Sequence, residues 1–114
     1  MSIGSAFIAI LVLNAAARPE RSSQDEPLRA AAQLTGLTTG MASTCQLKTT
    51  PVLHAFRDLM DRKHVLGAQR KRLVALVTEA NQRGASTQRK PGAMSCEEVK
   101  AQVRSTIRRL NRAK

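Results

Sequence analysis

The residues that could do acid–base or metal chemistry lie together in one segment of this chain. His54, Asp58 and Asp61 recur at helical spacing, so one face of a helix would carry an imidazole and two carboxylates. A polar trio of this kind, opposite an apolar stripe, is also typical of a solvent-exposed helix face. Because no nucleophile motif surrounds any serine and no glycine-rich phosphate loop follows a strand, we expect no catalytic residue and no enzymatic activity.

Sulfur-containing side chains are the other candidate ligands. Met41, Met60 and Met94 could bind copper, but they are too far apart in sequence for a clustered soft-metal site, and two of them fit a hydrophobic core. The two cysteines form no C-x-x-C motif and pair with no histidine at a zinc-like spacing. We therefore expect neither a metal site nor a cofactor.

Cys45 and Cys96 are better explained as a single disulfide. In the chain-entropy model, a bridge that closes a loop of about 50 residues stabilises the fold by about 4 kcal/mol. Such a bridge requires an oxidising compartment, whereas two separate buried thiols would be favoured if the chain stayed in the cytosol.

The N-terminal segment favours the oxidising compartment. A short apolar run from Ala6 to Leu13 precedes Ala15-Ala16-Ala17, a small-residue site of the kind that signal peptidases cleave, and polarity returns at Arg18. We interpret residues 1–17 as a signal peptide, residues 18–25 as a flexible leader and residues 26–114 as the folded domain. The n-region carries no Lys or Arg, which departs from the usual pattern, and an uncleaved tether is the alternative.

Composition limits the remaining chain to one thin, aliphatic core. The 114 residues suit a single domain, and they include no Trp, no Tyr and only two Phe. The 19 Lys and Arg against 8 Asp and Glu give a net charge of +11, which attracts anionic partners in general. Nucleic acid, anionic lipid, a polyanionic glycan and an acidic protein all fit this charge.

Apolar periodicity predicts four helices and no strand. The first helix is expected over residues 26–47, with Leu34, Leu37, Met41 and Cys45 on its buried face. The second starts at Thr50-Pro51 and ends near His64, with an apolar stripe that includes Leu53. The third covers residues 68–83 with Val74 among its buried residues. Gly84 is expected to end the third helix, and residues 85–93 have the composition of a loop.

The fourth helix has the clearest start signal in the chain. Ser95 with Glu98 forms a capping box, and an apolar series then continues to Leu110. Short connections between the first three helices predict an all-α, up-down bundle of about four helices. This order places Cys45 and Cys96 at the same end of the bundle, as a disulfide requires.

The same order gathers cations at the opposite end, where the second and fourth helices finish and the third begins. Cations at helix C-termini are explained by the helix dipole, but Arg70-Lys71-Arg72 near the start of the third helix opposes it. The alternative is that these side chains simply form solvated faces. Six residues are our candidates for binding an anion or partner: Arg70, Lys71, Arg72, Arg108, Arg109 and Arg112.

These observations predict a non-catalytic binding protein that is periplasmic or secreted. Its partner would be a protein or an anionic component of the cell envelope, and contact with a membrane surface is compatible with the charge. Nucleic acid is disfavoured because aromatic stacking platforms are missing. The alternative is a different functional class, a basic protein that is not exported and binds nucleic acid or a membrane surface.

Overall fold

A computed structural model describes residues 25–113 of the chain, which form four α-helices and no strand. The expected signal peptide and nearly all of the expected leader lie outside the described residues. Asp25 already belongs to the first helix. The helices are α1 (residues 25–44), α2 (Thr50–Arg62), α3 (Gly67–Gln88) and α4 (Cys96–Arg112).

Contacts between helix ends establish the up-down-up-down order that was predicted. At one end, Arg70 near the start of α3 pairs with Asp61 near the end of α2. At the other end, a disulfide joins Cys45, just after α1, to Cys96, the first residue of α4, with 5.6 Å between their Cα atoms. The predicted all-α bundle with one disulfide is therefore confirmed.

Helices α2 and α4 form through strong local signals. Pro51 lies in the first turn of α2, where its missing N–H costs no hydrogen bond. At the start of α4, Ser95 Oγ accepts a hydrogen bond from the Glu98 N–H at 3.1 Å, and Glu98 Oε1 accepts one from the Ser95 N–H at 3.2 Å. The apolar core consists largely of side chains from α2, with contributions from the other helices: Leu28, Ala32, Val52, Ala55, Phe56, Leu59, Met60, Val65, Leu73 and Leu110.

Helix α1 is buried on a different face from the one predicted. Leu34, Leu37 and Met41 are only half-buried. The fully buried face instead carries small and hydroxyl-bearing residues: Ala32, Thr35, Gly36, Thr38, Thr39, Gly40 and Ala42. Small side chains allow neighbouring helices to approach α1 closely, so burial here follows residue size rather than hydrophobicity.

Helices α1 and α3, which run in the same direction, approach each other closely at their glycines. A Cβ atom added to Gly36 would lie 2.9 Å from the backbone nitrogen of Asn81, and one added to Gly40 would lie 2.7 Å from that of Ala85. From the other side, Gly84 faces the backbone of Leu37 and lies inside α3. The prediction that Gly84 ends the third helix was wrong, because this glycine serves as a contact surface and the helix continues to Gln88.

The buried hydroxyl groups of α1 are all hydrogen-bonded. Thr35 and Thr39 donate to backbone carbonyl oxygens of their own helix, at 2.7 and 3.0 Å. Thr38 and Thr106 of α4 share a hydrogen bond of 2.9 Å, and Asn81 of α3 donates to Thr39 Oγ1 at 2.9 Å. Because each group has a partner, the polar face of α1 can be buried against the other helices.

Two side chains that were predicted to be buried are exposed. Leu53 is 42% exposed on α2, and Val74 is 48% exposed on α3. Leu53 lies beside the buried stripe of α2 rather than within it. Val74 lies outside the face of α3 that packs against α1, which includes Val77, Ala80 and Gly84.

Candidate functional site

The end of the bundle opposite the disulfide carries the six predicted cations, and we call these six residues the basic pole. Arg70, Lys71 and Arg72 lie in the first two turns of α3, and Arg108, Arg109 and Arg112 lie in the last two turns of α4. The structure places both groups at the end where α2 finishes. Side-chain hydrogen bonds from Arg62 and Arg70 hold these three helix ends together.

Arg70 is partly committed to the fold. Its Nη1 atom lies 2.7 Å from Asp61 Oδ1, and it donates a second bond to the carbonyl oxygen of Val65 at 3.4 Å. The side chain of Arg70 is 29% exposed. Arg70 therefore fixes the start of α3 against α2 and has less capacity for an external anion than its neighbours.

Arg62, in the last turn of α2, also belongs to this end of the bundle but is not among the six predicted cations. Its Nη2 atom donates to the carbonyl oxygens of Leu110 at 2.8 Å and Ala113 at 3.2 Å. These carbonyls belong to the C-terminal end of α4, where unpaired acceptors and negative dipole charge collect. Arg62 thus ties α4 to α2, and no spacing rule within one helix could have revealed this contact.

The other five members of the basic pole are exposed: Lys71, Arg72, Arg108, Arg109 and Arg112. Among residues 25–113 the ion pairs are Arg70 with Asp61 and Lys100 with Glu97, so none of these five is paired within the described chain. Five unpaired cations on two helix ends of fixed relative position can therefore face an external anion.

A groove of about 400 Å³ extends from the basic pole between the first turns of α1 and α3. Arg72 lines it together with Arg29, and apolar side chains of α3 contribute to its wall. Gln69 Nε2 donates to Asp25 Oδ1 at 2.9 Å across this groove. The full lining is Asp25, Arg29, Gln69, Arg72, Leu73, Ala75 and Leu76.

A second groove, of about 310 Å³, lies farther along α3 and carries no charge. Its lining is Thr39, Thr49, Leu53, Val77, Thr78, Asn81 and Gln82. The two grooves differ in electrostatics, and only the first adjoins the basic pole.

The acid–base candidates are exposed along α2. His54, Asp58 and Asp61 all face solvent, and Asp61 is engaged by Arg70. Within residues 25–113 no group of three His, Cys, Asp or Glu side chains is arranged to hold a metal ion. Met41 is half-buried, Met60 is buried and Met94 is exposed, each on a different element.

None of the helices in the described part of the chain combines the length and the hydropathy needed to cross a bilayer.

The fold and the basic pole together define a small, disulfide-linked, four-helix bundle with one cationic end. No protein-family model matches the chain, and neither a curated protein nor a solved structure shows significant similarity to it.

Proposed function

We propose that this protein is an exported, non-catalytic binding protein that engages an anionic partner through the basic pole. The observation that carries the proposal is the set of five exposed, unpaired cations on the ends of α3 and α4. Arginine forms four of the five, and its planar fork suits carboxylate, sulfate or phosphate groups.

The fixed positions of the helix ends that carry these cations support binding. Arg62 bonds α4 to α2, and Arg70 bonds α3 to α2, so the two helix ends that carry the basic pole are held by the same central element. Helix ends that are positioned before binding need no further ordering of their backbones when the partner arrives.

The start of α3 gives independent support because its charges oppose helix stability. The first turn contains no acidic residue, and the N-cap residue Leu66 makes no side-chain capping bond. Arg70 and Lys71 then place positive charge near the positive end of the helix dipole. A helix start that lacks a cap and carries unfavourable charge is locally destabilised, and such unfavourable features are typical of functional surfaces.

Export is supported by the chain's two cysteines and its N-terminal sequence. Cys45 and Cys96 lie at bonding distance in the folded bundle, as expected for a protein of an oxidising compartment. Residues 1–17 have the apolar run and small-residue site of a signal peptide.

Intact mass of the natively expressed protein tests export. We expect a chain that begins at Arg18, with both thiols blocked to alkylation until the protein is reduced. A full-length chain with two free thiols would contradict export and would favour the alternative, a basic protein that binds nucleic acid or a membrane surface without being exported.

Binding to heparin, a sulfated polyanion, tests the basic pole. We expect the variant with Arg108→Gln, Arg109→Gln and Arg112→Gln to bind heparin about tenfold more weakly than the unchanged protein. Exposed ion pairs contribute about 0.5 kcal/mol each, and three of them correspond to about this factor in Kd. Isothermal titration calorimetry at one fixed salt concentration gives the Kd values.

The control carries the same loss of charge at the disulfide end of the bundle. Its substitutions are Arg83→Gln, Arg89→Gln and Lys90→Gln, all at exposed positions. We expect the Kd of this control to stay within about twofold of the unchanged protein. Equal losses in the two variants would mean that net charge alone governs binding, and the proposed role of the basic pole would be wrong.

A further inference from the structure

The connector between α2 and α3 presents a large apolar side chain to solvent. Leu66 is 72% exposed, the most exposed of the large hydrophobic side chains in the described chain, and it is the residue immediately before α3. Its neighbour Val65 is buried and belongs to the hydrophobic core. The connector therefore has one apolar anchor inside the bundle and one apolar side chain pointing away from it.

The backbone holds this connector in a defined shape. His64 and Gly67, which flank the pair Val65-Leu66, both have positive φ angles, of 54° and 59°. The Val65 N–H donates to the carbonyl oxygen of Met60 at 2.9 Å, and the Val65 carbonyl accepts a bond from Arg70. The exposure of Leu66 is thus set by a turn that is bonded to both α2 and α3.

Stability does not account for leucine at this position. Leu66 is the N-cap of α3, where Ser, Thr, Asn or Asp would stabilise the helix through a capping bond that leucine cannot make. Its side chain also adds nothing to the core. Leucine at this position is therefore unfavourable both as a cap and as an exposed apolar group.

Cations flank Leu66 in the chain on both sides. Lys63 precedes Leu66 by three residues and Lys71 follows it by five, and both are exposed. The acidic groups at this end include Asp61, which is paired with Arg70, and Asp25, whose Oδ1 accepts a bond from Gln69. An exposed apolar side chain with cations on either side is suited to the interface of an anionic bilayer, where apolar volume lies beside negative charge.

We propose that the turn carrying Leu66 inserts into the surface of a membrane that contains anionic phospholipid, with the surrounding cations contacting the lipid phosphates. This inference rests on the proposed function, since it names the anionic partner of the basic pole. A lipid surface is favoured over a hydrophilic polyanion because only the lipid offers apolar volume for Leu66 beside negative charge.

Binding to vesicles tests the role of Leu66. The protein as isolated is mixed with vesicles of phosphatidylcholine alone or of phosphatidylcholine with phosphatidylglycerol, and its partition coefficient is measured by co-sedimentation. We expect binding only to the anionic vesicles, and we expect Leu66→Ser to weaken it about tenfold, as for partial withdrawal of one leucine side chain. The matched control is Met94→Ser, at an exposed residue in the loop before α4 (39% exposed), which should not change binding.

The thermal stability of Leu66→Ser separates loss of binding from loss of folding. Serine at the N-cap supplies the missing capping bond, so Tm should rise by about 4 °C while vesicle binding falls. A lower Tm would show that Leu66 has a structural role and would overturn the inference.

The cations are tested by a second matched pair. Lys71→Gln should weaken binding to anionic vesicles about fivefold, the expected contribution of one lysine near such a surface. Lys90→Gln, at an exposed lysine near the disulfide end, should have no effect.

The two proposals fail in different ways. If heparin binding depends on the basic pole but anionic vesicles are not bound, the membrane inference is wrong and the proposed function stands. If vesicle binding is the same for Leu66→Ser and the unchanged protein, insertion is also wrong. If neither heparin nor vesicle binding depends on the basic pole, both proposals are wrong.

Discussion

Replacing Cys45 and Cys96 by serine is expected to lower the free energy of unfolding by about 4 kcal/mol, the largest effect of any change that we consider. The bridge joins residues 51 positions apart, so it closes a long loop and lowers the conformational entropy of the unfolded chain. A domain of this size has a free energy of unfolding of only about 5–15 kcal/mol, so the serine variant would retain little stability. Urea denaturation followed by circular dichroism measures the difference.

The single variants distinguish the bridge from the packing of the two side chains. Cys45 is half-buried and Cys96 is exposed, so loss of packing would make Cys45→Ser the more damaging change. Loss of the bridge predicts that Cys45→Ser, Cys96→Ser and the double variant unfold at the same urea concentration. Reduction of the unchanged protein should reproduce this value, and an unchanged midpoint after reduction would show that the bridge does not stabilise the fold.

Gly40→Ala is expected to lower the free energy of unfolding by about 2 kcal/mol, although alanine is the better helix former. The added Cβ would meet the backbone of Asn81 and Ala85, and backbone atoms cannot move aside as the end of a flexible side chain can. Overpacking of this kind costs up to about 3 kcal/mol, and the gain in helix propensity returns about 1 kcal/mol. Adding Gly36→Ala should bring the loss to about 3 kcal/mol, less than the sum, because one displacement of α3 relieves both contacts.

Gly67→Ala is the control for this pair of changes. A Cβ at Gly67 would meet nothing within 4 Å, so its cost comes only from the positive φ angle and should be about 1 kcal/mol. If Gly40→Ala were neutral or stabilising in urea denaturation, the close contact between α1 and α3 would be contradicted.

Local sequence signals were sufficient to locate a helix start where a capping residue or a proline determines it. The capping box of Ser95 and Glu98 and the proline in the first turn of α2 correctly located the starts of α4 and α2. The short loops then predicted that successive helices run in opposite directions. This order brings the two cysteines together at one end and the helix ends of the basic pole together at the other.

Contacts between helices decided what these signals could not. The periodicity of α1 assigned burial to Leu34, Leu37 and Met41, whereas the structure buries the opposite, smaller residues against the neighbouring helices. Within a single helix, a glycine near the end of an apolar pattern predicts that the helix stops. Gly84 instead contacts the backbone of Leu37 in α1, and the sequence of α3 alone does not contain this information.

The candidate site divides in the same way. Its cations could be predicted, because charge and its position along a helix are written in the sequence. The bonds of Arg62 to α4 and of Arg70 to α2 could not be predicted, since they join residues that are distant in sequence or on different elements. The exposure of Leu66 also emerged only from the folded chain, because an apolar residue in a short connector would by default be assigned to the core.

The sequence by itself thus determined the helical class, the order of the helices, the disulfide and the end at which charge collects, since each follows from spacing along one chain. Only the tertiary structure decided which face of α1 is buried, where α3 ends and which apolar side chain remains in solvent. The first two depend on how closely two helix backbones approach, a distance set by the side chains of both helices together. The exposure of Leu66 depends on a turn that is bonded to both α2 and α3.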